Sequence, residues 1–236
     1  MRGMKLEILT DIAMLLFPRC CTVCGRRLLK GEELICTPCQ RHLPKTTFSP
    51  TALNPMLQRF IGSPAVRHAT SYIYYERQNA YSRLITEAKY GDRPEIIRRL
   101  ARMAADEIQP SGFFDAIDVI LPVPLSARRK RRGGYNQSDW IARGIADVTG
   151  LSVDARSLIR WKDNKTQTTM NRDERWQNVQ GIFAIRQPER LAEKTVLLVD
   201  DVTTTGATLM SCIDTLSQAV PDIHISLFTL ACTRQQ

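Results

Sequence analysis

Short apolar stretches recur along the chain, separated by longer amphipathic ones. The apolar stretches are rich in aliphatic, β-branched and aromatic residues, a composition typical of strands. Because they run with little polar interruption, we expect them to be buried on both faces, as in a parallel sheet. The predicted strands lie at 69–76, 117–125, 197–200 and 222–232.

The stretches between these strands carry apolar residues at helical spacing. PEIIRRLARMAADEI (94–108) begins with a proline suited to the first turn of a helix, and GYNQSDWIARGIADVTG (134–150) ends in a glycine that suits a helix stop. Strands that alternate with helices predict an α/β fold with a parallel sheet flanked by helices. The remaining predicted helices lie at 79–90 and 206–220.

The first apolar stretch, LEILTDIAMLLF (6–17), predicts an amphipathic helix that packs on a neighbour. It contains Glu7 and Asp11 and is too short to span a bilayer. We therefore expect no transmembrane segment. No signal peptide is recognisable, which favours a cytoplasmic protein.

Five of the seven cysteines fall within positions 20–39, and four of these five form two CxxC pairs with eleven residues between them. Without a secretion signal, clustered cysteines favour a metal over disulfides. Four thiolates suit one tetrahedral Zn²⁺, and a site with four protein ligands is structural because no position stays open. Cys20 and His42 remain alternative ligands. The predicted ligands are Cys21, Cys24, Cys36 and Cys39.

Prolines at 44, 50 and 55 indicate an irregular connection after the second cysteine pair. We therefore expect two units. Residues 1–60 would form the amphipathic helix, a small zinc-ribbon-like module and a linker. Residues 61–236 would form the larger α/β domain.

Two adjacent carboxylates, Asp200 and Asp201, stand at the end of the strand VLLV, and TTTGAT (203–208) follows as a turn into a helix. Ligands of open parallel sheets bind beyond the carboxyl ends of the strands, and a helix N-terminus favours an anion. The threonine loop is therefore predicted to hold a phosphate. Since carboxylates repel phosphate, the aspartates are expected to take vicinal hydroxyls or a divalent cation. Together these groups describe a ribose 5-phosphate.

Three other interpretations fit this stretch less well. A Walker B strand also ends in acids, but the chain contains no GxxxxGK[ST] motif. A receiver domain opens with such an acidic pair, whereas only 35 residues follow Asp201. An ordinary strand followed by a capped helix explains the threonines and leaves the two acids unexplained.

The stretch VLLVDDVTTTGATL (196–209) resembles the phosphoribosyl-pyrophosphate (PRPP) motif of type I phosphoribosyltransferases. Three further stretches resemble signatures of the ComF family, also called ComFC/GntX: EAKYGDRPE (87–95), PVPLSARRKRRGGYNQ (122–137) and RWQNVQGIF (175–183). A four-cysteine finger is also typical of that family. The resemblance covers nearly the whole chain, with Tyr135 in place of a common phenylalanine.

The resemblance implies a type I phosphoribosyltransferase-like domain that binds PRPP together with Mg²⁺. The two acids, also the candidate catalytic residues, would hold the ribose hydroxyls, and the loop would hold the 5-phosphate. Lysine, proline and two arginines of the other signatures would reach the ligand as well. The implied PRPP-binding residues are Asp200, Asp201, Thr203, Thr204, Thr205, Gly206, Ala207, Thr208, Lys89, Pro124, Arg128 and Arg132.

Two polar stretches have both a functional and an ordinary interpretation. The basic run RRKRR (128–132) offers bidentate phosphate donors, although a solvated basic face would look the same. The stretch 160–178 resembles a hood that closes over the reacting carbon, and is otherwise an ordinary surface loop. Its candidate pyrophosphate contacts are Lys165, Gln167, Arg172 and Arg175.

A net charge of +9 predicts anionic partners. The family resemblance implies a role in natural transformation, in which internalised single-stranded DNA is handled in the cytoplasm alongside other competence proteins. Trp140, Trp161 and Trp176 are the candidate stacking residues for such a strand. The alternative is an active pentosyltransferase of nucleotide metabolism that transfers the ribose phosphate of PRPP. The sequence identifies neither an acceptor nor an oligomeric state.

Overall fold

The computed structural model describes residues 18–90, 93–125, 134–162 and 181–234. Several predicted features lie outside these residues: the helix at 6–17, the basic run with Arg128 and Arg132, and the greater part of 160–178. Within the described ranges, no helix is long and apolar enough to cross a bilayer.

Seven strands are described, and five of them form one parallel sheet in the order β1–β7–β6–β2–β3. The remaining two, β4 and β5, pair antiparallel as a separate small sheet that the sequence pattern did not predict. The strands are β1 (Val66–Tyr74), β2 (Val119–Pro122), β3 (Ser152–Val153), β4 (Leu158–Arg160), β5 (Phe183–Ile185), β6 (Thr195–Thr203) and β7 (His224–Cys232).

Four of the described α-helices occur where the amphipathic stretches predict them, whereas two short helices, at Thr37–Arg41 and Pro55–Gln58, were not predicted. The helix at 94–108 is confirmed with the same bounds. The stretch 134–150 becomes helical only at Gln137, because Asn136 stands in extended backbone as the N-cap. The α-helices are α1 (Thr37–Arg41), α2 (Pro55–Gln58), α3 (Arg83–Tyr90), α4 (Pro94–Ile108), α5 (Gln137–Thr149) and α6 (Ala207–Ala219).

Side chains of β6 alternate between two hydrophobic clusters, one on each face of the sheet. Leu197 and Val199 are buried in the cluster that contains α4 and α5. Val196 and Leu198 are buried in the cluster that contains α6. The predicted fold class, a parallel sheet flanked by helices, is confirmed.

The predicted linker after the cysteine pairs packs along the outer edge of β1. The backbone N–H of Thr46 donates to the carbonyl of Tyr72 at 3.0 Å, and that of Tyr74 donates to Pro44 at 2.8 Å. An edge strand covered in this way presents fewer free backbone groups to other chains. The boundary at residue 60 stays a prediction.

Candidate functional site

Asp200 and Asp201 lie within β6, because pairing with β7 continues to Thr203 and Cys232. Both carboxylates are half-buried. The hydroxyl of Ser138 donates to Asp200 Oδ1 at 3.1 Å, and the backbone N–H of Asp201 donates to the same oxygen at 2.9 Å. Asp200 is therefore oriented by the first turn of α5, while the carboxylate of Asp201 accepts from the N–H of Val202.

The threonine loop turns from β6 into α6. Thr203 is 3% exposed and still belongs to the strand, whereas Thr204 is exposed and Thr205 is half-exposed. Gly206 is the N-cap of α6 with a φ of 82°, a conformation that glycine adopts without strain. No backbone acceptor among the described residues takes the N–H groups of Thr205 and Gly206. The loop is thus an N–H-rich turn at a helix N-terminus, an arrangement that suits an anion.

The end of β2 lies beside these groups. Pro122 is in register with Val199, and the N–H of Val123 donates to the carbonyl of Val199 at 2.9 Å. The predicted site residue Pro124 follows and is half-buried. Asn136, the N-cap of α5, lies beside the end of β2, because its side-chain amide donates to the carbonyl of Val123 at 3.1 Å.

The structure does not test the roles of the remaining predicted PRPP contacts. Lys89 lies in the last turn of α3, Ala207 is buried, and Thr208 is partly exposed in the first turn of α6. Arg128 and Arg132 lie outside the described ranges. Their roles stay predictions.

Cys212 sits on α6 near the acids but does not offer a reactive thiolate. It is fully buried, and burial together with the nearby Asp200 carboxylate raises the pKa of its thiol well above the usual value. A thiol held neutral is a poor nucleophile. Among the described residues, this edge of the sheet offers carboxylates and backbone donors.

Sequence reasoning missed three residues that contact the candidate site. Ser138 touches Asp200, and it directly follows the GYNQ signature, which could have indicated it. Arg59 donates to the carbonyl of Thr204 at 2.6 Å, and the ring of Phe60 lies against Gly206. Both come from the predicted linker, where no local pattern points to a site.

The four predicted zinc ligands come together. Their sulfur atoms all lie within 4.8 Å of one another, and Cys24 Sγ and Cys36 Sγ are 3.7 Å apart. Four sulfurs at the usual Zn–S distance of 2.3 Å would be separated by about 3.8 Å, so the cluster fits a tetrahedral zinc. Cys20 and His42 are not part of this cluster; each contacts a backbone carbonyl instead.

Backbone donors and a carboxylate order the finger around this cluster. Burial disfavours the Cys21 thiolate, but hydrogen bonds from the N–H groups of Cys24, Cys36 and Val23 outweigh it and lower its pKa to about 7. Glu32 accepts from the backbone of Leu29 and of Thr37, and from the Thr37 hydroxyl. The Leu29 contact and the Thr37 contacts hold the pKa of the Glu32 carboxyl at about 2.

Three side chains of the main domain hold the finger by its backbone carbonyls. Tyr81 donates its hydroxyl to Cys39 at 2.9 Å, and Arg99 donates to Glu33 at 2.9 Å. Arg83, at the start of α3, donates to Val23 at 3.4 Å. The finger that carries the four-cysteine cluster is therefore attached to the elements that precede and form α3 and α4.

No protein-family model matches the chain. The chain is 27% identical over 213 residues to DNA utilization protein YhgH of Escherichia coli (strain K12), covering 83% of this chain and 89% of that protein. It is 32% identical over 133 residues to competence protein F of Haemophilus influenzae, covering 53% of this chain and 57% of that protein. The resemblance to the ComF family is confirmed.

Other comparisons are shorter or weaker. The match to YhgH of Salmonella typhimurium is 32% identical over 131 residues, so the chain spans about half the length of that relative, 57% of it. Two solved phosphoribosyltransferase structures match the chain with low scores. Glutamine PRPP amidotransferase of B. subtilis matches with a TM-score of 0.39 and 21% identity, over 60% of this chain and 30% of that one. Adenine phosphoribosyltransferase of Leishmania tarentolae matches with a TM-score of 0.37 and 15% identity, over 62% and 74%.

Proposed function

We propose that this ComF-like chain binds PRPP, with Mg²⁺, at the carboxyl edge of its sheet. The observation that carries the proposal is that Asp200 and Asp201 lie near the end of β6, and the N–H-rich loop follows this strand. The ligand would be divided between the two groups. The carboxylates accept hydrogen bonds from the ribose hydroxyls, and the loop donates to the 5-phosphate.

Two metal ions with different roles accompany this proposal. Zn²⁺ on Cys21, Cys24, Cys36 and Cys39 would be structural, since four thiolates complete its coordination. Mg²⁺ would bind with PRPP near the two aspartates, where it would neutralise part of the charge of the pyrophosphate.

The names of the relatives support a role in the use of DNA. We propose that PRPP binding serves the handling of internalised single-stranded DNA in the cytoplasm during natural transformation, with other competence proteins as partners. The excess of positive charge favours a phosphate backbone. Trp161 is 56% exposed, and the Lys162 ammonium lies 4.0 Å from the centroid of its ring, so the two could take a base and its phosphate.

A second candidate function is catalytic transfer. The same carboxylates would hold the ribose of PRPP while a nucleophile attacks the anomeric carbon and pyrophosphate leaves, stabilised by Mg²⁺ and by basic side chains. Labelled PRPP incubated with nucleobases and single-stranded DNA separates the two candidates. Pyrophosphate release that depends on an acceptor would establish a transferase, and binding without release would favour a PRPP-regulated adaptor.

The PRPP site is tested by thermal stability. Saturating PRPP with Mg²⁺ at a hundredfold excess over the Kd should add about 2.7 kcal/mol, or roughly 5–10 °C in Tm. The double variant Asp200→Asn/Asp201→Asn should lose that shift, because the neutral amides no longer attract Mg²⁺ or accept as strongly from the hydroxyls. Calorimetric Tm with and without ligand measures the effect.

A matched control for these variants is Asp222→Asn. Asp222 is exposed at the opposite edge of the sheet, before β7, with a φ of 58° that asparagine also tolerates. It should keep the full PRPP shift. No shift in the wild-type protein would rule out a PRPP site.

Single-stranded DNA binding is expected to weaken with salt. Replacing Arg128 and Arg132 by glutamine should reduce the slope of log K against log salt by roughly 1 to 2. Replacing the exposed arginines Arg102 and Arg156 in the same way serves as the control. Fluorescence anisotropy over a salt series measures both. Equal effects from the two pairs would contradict a role for the basic run.

A further inference from the structure

The segment from Asn54 to Phe60, part of the predicted linker, connects β1 to the threonine loop. The Asn54 amide donates to the carbonyls of Ser49 and Ala69, each at 2.8 Å, and its oxygen accepts from the N–H groups of Met56 and Leu57. Asn54 is buried, so these bonds are shielded from water. The short helix α2 therefore starts at a fixed point beside the sheet.

Arg59 follows α2 and joins the ends of two neighbouring strands. Its guanidinium donates to the carbonyl of Thr204 at 2.6 Å and to the carbonyl of Thr233 at 2.7 Å. Thr204 follows β6 and Thr233 follows β7. The backbone N–H of Thr233 in turn donates to the carbonyl of Thr203 at 3.1 Å. The fork of one arginine thus fixes both peptides at the carboxyl edge of the sheet.

The bond to Thr204 determines where the next N–H points. In a trans peptide the C=O and the N–H of the following residue point in opposite directions. Because the carbonyl of Thr204 points toward Arg59, the N–H of Thr205 points away from the segment that carries Arg59. No backbone acceptor among the described residues takes that N–H.

The side chain of Phe60 packs against the same loop. It is 1% exposed, and a Cβ placed on Gly206 would lie 3.2 Å from the Cζ atom of its ring. A larger residue than glycine would push the ring and the loop apart. The segment thus contacts the loop at two consecutive positions, one polar and one apolar.

We propose that Arg59 is a positioning residue for the threonine loop, holding the Thr204–Thr205 peptide so that its N–H points at the 5-phosphate of a bound phosphoribosyl ligand. This inference rests on the proposed PRPP site. It assigns to Arg59 no contact with the ligand itself, since its guanidinium is engaged by backbone carbonyls.

Arg59→Met removes the bridge and keeps much of the aliphatic stem. Titration calorimetry should show PRPP and ribose 5-phosphate binding weakened by about tenfold or more, as expected when a donor to a charged group is misplaced. Binding of magnesium pyrophosphate, which lacks the 5-phosphate, should be unchanged. A purely structural defect would weaken all three ligands.

Two further variants sharpen the test. Arg59→Lys keeps the charge but replaces the fork by a single ammonium, so it should not restore ribose 5-phosphate binding. Arg67→Met, at an exposed arginine of β1, should leave the binding of every ligand unchanged. Full recovery by Arg59→Lys, or equal losses for pyrophosphate and ribose 5-phosphate, would overturn the positioning role.

A ligand-free measurement separates this inference from the proposed function. Amide order parameters of Thr205 and Gly206 should fall in Arg59→Met relative to the wild type, because the loop loses one of its supports. If wild-type protein binds no PRPP, the proposed site fails. Unchanged order parameters would show, independently of any ligand, that Arg59 does not hold the loop.

Discussion

Stripping zinc from the four-cysteine cluster is expected to lower the Tm of the whole chain, and not only to unfold the finger. Buried finger residues such as Val23, Leu34 and Ile35 belong to the same hydrophobic cluster as Ile97 and Leu100 of α4. When the finger loses its metal, this shared apolar surface becomes exposed to water. The stability of α4 and of the sheet beneath it should therefore depend on zinc.

The expected effect is large. Structural zinc contributes about 10–16 kcal/mol of binding free energy in isolated finger peptides, all of which appears as folding energy. If only a few kcal/mol of it reach the main domain, the Tm of a chain of this size falls by roughly 10 °C. Calorimetry before and after chelation, with metal analysis of the same samples, measures the change.

Two cysteines of the N-terminal segment, one inside the cluster and one outside it, provide a matched pair of variants. Cys36→Ser removes a ligand that is 1% exposed and should abolish stoichiometric zinc together with the stability gain. Cys20→Ser changes an exposed thiol outside the cluster and should alter neither. Less than about half an equivalent of zinc in carefully purified wild-type protein would contradict four thiolate ligands.

The finger also shows what a sequence can and cannot predict. Two CxxC pairs are local patterns, and each pair fixes its own turn, so the four cysteines could be predicted to cluster before their distances were known. The attachment of the finger could not, because Tyr81, Arg83 and Arg99 reach its carbonyls from distant parts of the chain. Every residue has a backbone carbonyl, so the identity of the accepting residue gives no sequence signal for these hydrogen bonds.

The same distinction holds for the fold and the candidate site. The helix α4 was predicted to the residue because its apolar repeat covers about four turns and starts at a proline. The strands β4 and β5 have three residues each, too few for a period to show. At the site, the acids and the threonine loop are contiguous in sequence. By contrast, Arg59 contacts Thr204 from 145 residues away, and Ser138 contacts Asp200 from 62 residues away.

Gly144→Ala is expected to destabilise the protein, because an added methyl at this position has the closest contacts among the described glycines. A Cβ at Gly144 of α5 would lie 2.4 Å from the backbone oxygen of Arg98 and 2.7 Å from the Cβ of Ala101, both on α4. Carbon contacts are comfortable at about 3.5–4.0 Å, so the two helices would have to separate by roughly 1 Å. In sequence this glycine reads only as a weak helix former.

The sign of the effect is set by two opposing contributions. Alanine is favoured over glycine inside a helix by about 1 kcal/mol, which would make the variant more stable if the site were open. Overpacking against a backbone that cannot give way costs about 3 kcal/mol, so a net loss of about 2 kcal/mol, or roughly 4–8 °C in Tm, is expected. Gly62→Ala is the control, since nothing lies within 4 Å of its added methyl.

The separation of α5 from α4 should also alter the candidate site. Helix α5 begins one residue before Ser138, whose hydroxyl orients Asp200. If α5 moves away from α4, that hydroxyl shifts with it, and Asp200 loses the donor that fixes one of its oxygens. Gly144→Ala should therefore weaken PRPP binding, measured by titration calorimetry at a temperature where the variant is still folded. A variant as stable as the wild type would mean that the α4–α5 contact is looser than 2.4 Å implies.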